Sequence, residues 1–393
     1  MSQANIIRQK AHLYRHDTAQ YLSEMVKIPS VSCQEKGVVQ KIKELLELAG
    51  VKDVWIDRLG NCIARVGRGS KILAIDAHID TVDTGDLSAW DFPPFSGSIH
   101  SDVVHGRGTV DQEGGAASMI TAARILTELA YDGEYSVYFT FTVMEEDCDG
   151  LCWEYLINKE KLVPDIAVIT EPTNLGIYRG HRGRMEMELI FKGLSAHGSA
   201  PERGKNVIYS AARIALEIEK LNDVLPSDSF LGKGTIAATL LHTKAPSLCA
   251  IPDMAHMHID RRLTWGENKE SALAELQKIC KDDVKIDIPV YDNPSYKGTV
   301  YPLEKYFPTW KIPEDHPLVK VGEKTYEHLF QEKPRIDKWT FSTNGVSLCG
   351  RHGIPCIGFG PGNEIYAHAP NEKIPIEHLE KAAAFYTLLA YEL

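Results

Sequence analysis

No stretch of this chain is long and apolar enough to enter a bilayer. Its most apolar run, Tyr135 to Val143, is interrupted by threonines and falls far short of the ~20 residues a spanning helix needs. The first residues, MSQANIIRQKAHLYRHD, lack the continuous apolar core of a secretory signal, so a cytoplasmic location is expected. A basic excess is missing too: 43 Lys and Arg against 54 Asp and Glu give a net charge of -11, which argues against nucleic acid, whose binding rests on neutralised phosphates. No repeat period or low-complexity tract is present. Eight cysteines occur without a single C-x-x-C pair, and in a reducing compartment they are expected to be free thiols. A disulfide module, a membrane protein and a polyanion binder are thereby set aside, leaving a 393-residue globular chain of two or three domains.

The periodicity predicts helices over 6–25 and 37–48, the second stopped by Gly50. Short β-branched runs follow at 53–56, 62–66 and 71–76; the last is apolar on both faces and belongs in the middle of a sheet. A helix over 115–129, a strand over 136–144, a short helix after Gly150 and a strand over 165–170 complete an alternating pattern. The expected fold class is therefore α/β, a mixed twisted sheet flanked by helices. After about residue 180 the texture changes to strand 185–191, helix 206–221, strands 235–242 and 254–262, helix 267–280 and strand 284–291. That βαββαβ order predicts an inserted ferredoxin-like domain over 182–295. It divides a catalytic domain into residues 1–181 and 296–393, the latter with a helix over 316–330, strands near 334–337 and 355–359, and a final helix over 375–391.

Five acid or imidazole groups fall just beyond these core strands or on the glycine-rich loops between them, where open α/β sheets place their ligands. His78 and Asp80 end the central strand; an extended backbone repeats every two residues, so the Asp80 carboxylate can bond one imidazole nitrogen and free the other for a metal. Asp111 stands in Gly106-Arg107-Gly108-Thr109-Val110-Asp111, just before a helix; its plain alternative is an N-cap. Glu145 and Glu146 follow another apolar strand and point opposite ways, one to a cation and one to a proton, although a solvated acidic turn explains most such runs. Glu171 and His368 complete the set. Hard carboxylates with two imidazoles and no cysteine suit two divalent cations, Zn2+ first and Mn2+ or Co2+ as alternatives, ~3.5–4 Å apart.

The blocks HIDTV (78–82), GRGTVDQEGG (106–115), EED (145–147), EPT (171–173), LSAHGSAPERGKN (194–206), GFGPG (358–362) and YAHAPNE (366–372), in this order over nearly the whole chain, resemble the M20 family of dinuclear metallopeptidases and amidohydrolases. That family includes carboxypeptidases, acetylornithine deacetylases, succinyl-diaminopimelate desuccinylases and aminoacylases; the resemblance is nearest to bacterial hydrolases associated with selenium-dependent purine metabolism. It implies that His78, Asp111 and Glu171 hold one metal and Asp111, Glu146 and His368 the other. Glu145 becomes the general base and Asp80 the residue that orients His78. His197 becomes a donor to the oxyanion of a neighbouring subunit in a homodimer formed through the insert, and Arg262 the residue that binds a substrate carboxylate. The implied activity is hydrolysis of a small carboxylate-bearing amide: an N-acyl amino acid, a dipeptide or an N-carbamoyl acid.

Departures from the family pattern fall at Gln112-Glu113, where Met-Lys is common, at Cys249, where asparagine is common, and at 339–345 in place of a Gly-Thr-Asp-type loop. His256 and His258 alternate on one strand face, and Cys148 and Cys152 flank the acidic turn; both pairs read as structural. Two other classes compete: a catalytically silent metal-binding or regulatory dimer, which should have lost Glu145 or a ligand, and a serine hydrolase using Ser195, whose loop lacks the closing glycine of a nucleophile elbow.

Overall fold

The computed structural model describes residues 2–280 and 284–393. Its main sheet has eight strands in the order Asp53–Ile56, Cys62–Val66, Tyr135–Thr142, Lys71–His78, Ile166–Ile169, Cys356–Gly358, Ile177–Tyr178 and Ile336–Asp337. The four strands from Tyr135–Thr142 to Cys356–Gly358 run parallel to one another, and antiparallel pairs join at either side, so the sheet is mixed as expected. Lys71–His78 is buried over its last six positions, which is why its sequence reads apolar on both faces. Because these strands are parallel, the residues after His78, Thr142, Ile169 and Gly358 emerge at one edge of the sheet. That edge carries the site.

Helices Gln3–Leu13, Arg15–Val26, Lys36–Leu48, Glu113–Glu128, Pro317–Phe330 and Ile376–Glu392 share one hydrophobic core with the sheet. The helix expected over 6–25 is two helices. The break falls at Tyr14, whose hydroxyl donates to Glu128 at 2.8 Å while its ring lies 3.7 Å from the Arg124 guanidinium. A long-range contact thus overrides a continuous helical pattern.

The insert has its own smaller core around Met185, Met187, Leu189, Ile218, Met257, Ile259 and Leu276. Its antiparallel sheet runs Thr235–Lys244, Met254–Leu263, Gly183–Lys192, Val284–Asp287, with helices Val207–Val224 and Lys269–Cys280. This is the strand order of a ferredoxin-like unit, second, third, first and fourth. Two details differ from expectation. The strand over 284–291 splits: Val284–Asp287 stays in this sheet while Val290–Tyr291 pairs with Leu303–Glu304, because Pro289 between them cannot donate to a ladder. Tyr306–Phe307 adds to the free side of Gly183–Lys192, so the inserted sheet recruits chain from beyond residue 295.

Candidate active site

His78 is fully buried, and its two nitrogens are used differently. Nδ1 lies 2.9 Å from the main-chain oxygen of Asp80, which fixes the tautomer by taking that proton and turns Nε2 toward the acids. Nε2 is 3.0 Å from Asp111 Oδ1, 3.4 Å from Glu171 Oε1 and 3.9 Å from Glu145 Oε2. On the other side His368 Nε2 is 3.0 Å from Glu146 Oε2 and 3.3 Å from Asp111 Oδ2. Asp111 therefore sits between two imidazoles, one on each oxygen. All five expected ligands and Glu145 are brought together.

The expected bond from the Asp80 carboxylate to His78 is corrected by the structure. That carboxylate is 3.7 Å from Nδ1; its oxygens instead accept the amide protons of Glu145 at 3.1 Å and Glu146 at 3.0 Å and the Ser32 hydroxyl at 2.6 Å. The strand ends at His78, so the two-residue alternation that would aim Asp80 at the ring no longer holds. Asp80 positions the turn that carries Glu145 and Glu146. Glu145 and Glu146 lie on this turn after Met144, whose φ is +64°, and not on a strand.

Three buried residues that sequence reasoning gave no role hold the loops. Glu372 accepts from the amides of Gly108 (3.0 Å), Val110 (2.6 Å) and Asp111 (3.0 Å), and pairs with Arg107 at 2.8 Å. One carboxylate thus folds the whole glycine-rich loop that presents Asp111. Glu35 accepts from Cys33 and Met144 amides at 2.9 and 3.1 Å, bracing the other side of the acidic turn. Asn344 donates to Asp76 at 2.8 Å and accepts from Gly150 at 2.9 Å, tying the 339–345 loop to the central strand. Only the position of Glu372 inside the YAHAPNE block offered a signal. Gly360 packs against Glu171: a Cβ there would meet the Glu171 and Thr170 carbonyl oxygens at 2.0 and 2.1 Å.

The departures at 112–113 and 339–345 acquire structural accounts. Gln112 accepts from Thr170 at 2.7 Å, pinning the helix start to the strand that leads to Glu171. Glu113 is buried with neither oxygen bonded, and burial with the nearby Glu372 pushes its carboxyl well above the usual range. At Cys249 it is the main chain that is used, its carbonyl accepting the Gly198 amide at 2.7 Å, so the cysteine side chain itself has no structural explanation. Phe341 and Ser342 bring the unusual loop into the cavity wall.

The acids carry more negative charge than their surroundings neutralise. Burial, reinforced by Asp111, pushes Glu146 up to about 7, and burial with Asp111 and Glu146 pushes Glu171 up to about 8. Hydrogen bonds that His368 donates to Asp111 and Glu146 raise it to about 10, and acids on every side hold His78 well above normal against its burial. Glu145 Oε1 and Glu171 Oε2 are buried without a hydrogen-bond partner. Buried carboxylates forced toward protonation, with orphaned oxygens, are what a dication relieves. Among the described residues, ligand atoms of His78, Glu145 and Glu171, and of His78, Asp111 and Glu146, lie within 4.8 Å of one another, with His368 beside the second group. The donor set fits metal. Glu145 falls within the ligand cluster, where the resemblance held it apart as base.

A cavity of about 320 Å3 opens onto this cluster, lined also by Asp149, Arg184, Arg262 and Glu364. Arg262 reaches it as expected. His197 does not line it; the ring is exposed, with Nδ1 bonded to Ser199 Oγ at 2.7 Å. His258 bonds Thr239 and Glu186 on the two neighbouring strands, and all eight cysteines are free. No helix of the described residues is long and apolar enough to cross a membrane.

The model of peptidase family M20/M25/M40 matches residues 74–392. The chain belongs to this family. It is 49% identical to the uncharacterized protein YgeY of Escherichia coli over 98% of this chain and 96% of that protein. Aminopeptidase PepT of Bacillus cereus has the same fold, with a TM-score of 0.73 at 21% identity over 96% of this chain and 98% of that one. The Bacillus subtilis YXEP protein, a dinuclear metal-binding M20 peptidase, gives a TM-score of 0.69 at 16% identity, over 96% of this chain and 98% of that chain. As a member of this family, the chain is a hydrolase of amide bonds.

Proposed function

We propose that the chain is a dinuclear metal-dependent hydrolase of small amides bearing a carboxylate: N-acyl amino acids, dipeptides or N-carbamoyl acids. The observation that carries this is Asp111 held between two imidazoles in the wall of a small cavity, with Glu145 buried beside His78. His78, Asp111 and Glu171 would hold one ion and Asp111, Glu146 and His368 the other, Zn2+ being favoured by the mixed imidazole and carboxylate donors. Bound there, the pair supplies Lewis acidity to the scissile carbonyl and lowers the pKa of attacking water.

The chain's own residues do the rest. Glu145 accepts the water's proton and passes it to the departing amine; its backbone is fixed by Asp80, so the carboxylate need not search for its position. Arg262, braced through Nε and Nη2 by Asp260 at 2.9 and 3.1 Å, presents its remaining edge to a substrate carboxylate. His197 is assigned to the oxyanion of a partner copy in a homodimer formed through the insert; its exposure and its absence from its own chain's cavity lining support this. Eight free thiols support a reducing, cytoplasmic setting.

The test is incubation of metal-replete protein with a panel of N-acetyl, N-carbamoyl and dipeptidyl amino acids, with products identified by mass spectrometry. Cleavage abolished by a chelator and restored by Zn2+, Mn2+ or Co2+ is expected. Full turnover in metal-stripped protein would overturn the reading.

A further inference from the structure

Opposite the acid cluster, the cavity wall rests on the inserted sheet, where Arg184 and Arg262 are direct cross-strand partners. Like charges placed so destabilise a strand pair. Here both guanidinium groups line the same cavity. Each is braced by a carboxylate: Arg184 donates through Nη2 to Asp149 at 2.9 Å, and Arg262 is held at both Nε and Nη2 by Asp260. Asp149 also takes the Ser342 hydroxyl, so loop 339–345 helps to fix Arg184. The Arg184 side chain lies 4.5 Å over the Phe307 ring and its Nε is buried without a partner, so it is rigid and incompletely satisfied.

The charges do not balance. Glu186, 3.7 Å from Arg184 Nη1, is already engaged by Lys305 at 3.2 Å and His258 at 3.3 Å. Half-buried Arg182 next to this pair donates through Nη1 to a carbonyl, that of Lys233, at 2.9 Å. Three guanidinium groups therefore stand against the two carboxylates Asp149 and Asp260, leaving one positive charge in a partly desolvated wall. Directly opposed residues have Cα atoms ~4.5–5.5 Å apart, a spacing at which two guanidinium groups can close on one carboxylate.

We propose that Arg184 is a second substrate-binding residue, and that Arg184 and Arg262 together clamp a single substrate carboxylate. This rests on the reading of the cavity as a site for carboxylate-bearing amides. Arg184 and Arg262 are each matched by one carboxylate, and the unmatched charge is that of Arg182 beside them, so one bound carboxylate neutralises the three guanidinium groups together with Asp149 and Asp260. The substrate class is narrowed to amides with one carboxylate at this position, and a second acidic group gains nothing from it.

The experiment uses the full-length, metal-loaded Glu145→Gln protein, which binds without turnover. Calorimetry would compare N-acetyl-, N-carbamoyl- and glycyl-L-alanine with their C-terminal carboxamides. Arg184→Gln is expected to weaken the carboxylate ligands by roughly 10–100-fold, the scale of a charge-assisted pair, and the carboxamides by less than about threefold. The double variant Arg184→Gln with Asp149→Asn removes both buried charges together and should show the same selectivity if Arg184→Gln alone unfolds. Arg184→Gln in an Arg262→Gln background should lose less than it does alone, because the two share one ligand group. Equal weakening of acids and carboxamides would make Arg184 a brace for Asp149 only and overturn the clamp. So would a gain in affinity on replacing N-acetyl-L-alanine with N-acetyl-L-glutamate that depends on Arg184. A wild-type protein that neither binds nor cleaves any of these ligands overturns the functional reading and the clamp with it; binding that Arg184→Gln leaves unchanged overturns the clamp alone.

Discussion

The acid cluster and the inserted unit, to which the proposed function assigns one chemistry, stand under opposite physical conditions. His78, Glu145 and Glu171 are buried at or just beyond the ends of parallel strands and Asp111 on the glycine-rich loop before a helix, and these loops are tied by Asp80, Glu372 and Glu35 through main-chain amides. His197 is exposed, on a loop held opposite Ala250 by main-chain bonds of Gly198 to Cys249 and Ile251 to Ala196. The first region is preorganised by its own chain. The second acquires a partner only by domain movement or from a second copy. Changes in the cluster should therefore act within one chain, and changes at His197 should be reparable from another.

Glu145→Gln tests the cluster most severely. The amide keeps the shape but cannot accept a proton, so turnover should fall by ~10²–10⁴-fold with metal content and unfolding temperature retained. Single-turnover kinetics with metal analysis on one preparation checks both; near-normal turnover would move the base elsewhere. His197→Ala should cost ~10²–10³-fold, the scale of one oxyanion donor. Mixing it with Glu145→Gln after subunit exchange should restore activity, since one site in each mixed dimer then has both groups intact. Mixed dimers that form and stay inactive break the assignment of His197 while leaving the cluster untouched.

Glu372→Gln probes the preorganisation. The amide can still accept, but it loses charge against Arg107 and offers weaker acceptance to three loop amides, so metal affinity or activity should fall by ~10–100-fold. Metal titration against a chromogenic chelator reads this directly; unchanged affinity would mean that the glycine-rich loop holds Asp111 without help.

The same contrast explains what could be read from sequence. Strands buried on both faces announce themselves as apolar runs, and the polar residue that ends each run stands out, which is how His78, Glu145, Glu146 and Glu171 were found. The insert's βαββαβ order was equally legible from its alternating strands. Residues that act by bonding distant main chain leave no such trace: Glu372 is far along the chain from Val110, and Glu35 from Met144. Arg184 looked like any strand residue until pairing set it opposite Arg262. The carboxylate of Asp80 departs from the two-residue alternation because the strand stops at His78.

The smallest effect on activity is expected where the two regions join. His181 is fully buried and its hydrogen bonds name its tautomer: Nδ1–H donates to the Arg182 carbonyl at 2.8 Å, and Nε2 accepts from Trp310 Nε1 at 2.7 Å and the Thr343 amide at 3.1 Å. Protonation would put a donor where two donors already point, and burial holds the imidazole down to about 4. The unfolded chain takes up this proton near pH 6.5, the folded chain only near 4. As pH falls through that window the unfolded state therefore binds more protons, and stability declines by roughly 3 kcal/mol before levelling off. In metal-free protein, urea unfolding at pH 7, 5.5 and 4 should show this loss. His181→Gln should be less stable at pH 7, because its amide cannot satisfy the same three partners, yet shed less stability on acidification. Its turnover per folded molecule at pH 7 should stay within about threefold of wild type, because the ring touches the Thr343 loop and not the cluster. Parallel pH slopes for the two proteins would place the acid sensitivity among the carboxylates of the site, making the joint between the regions indifferent to protons.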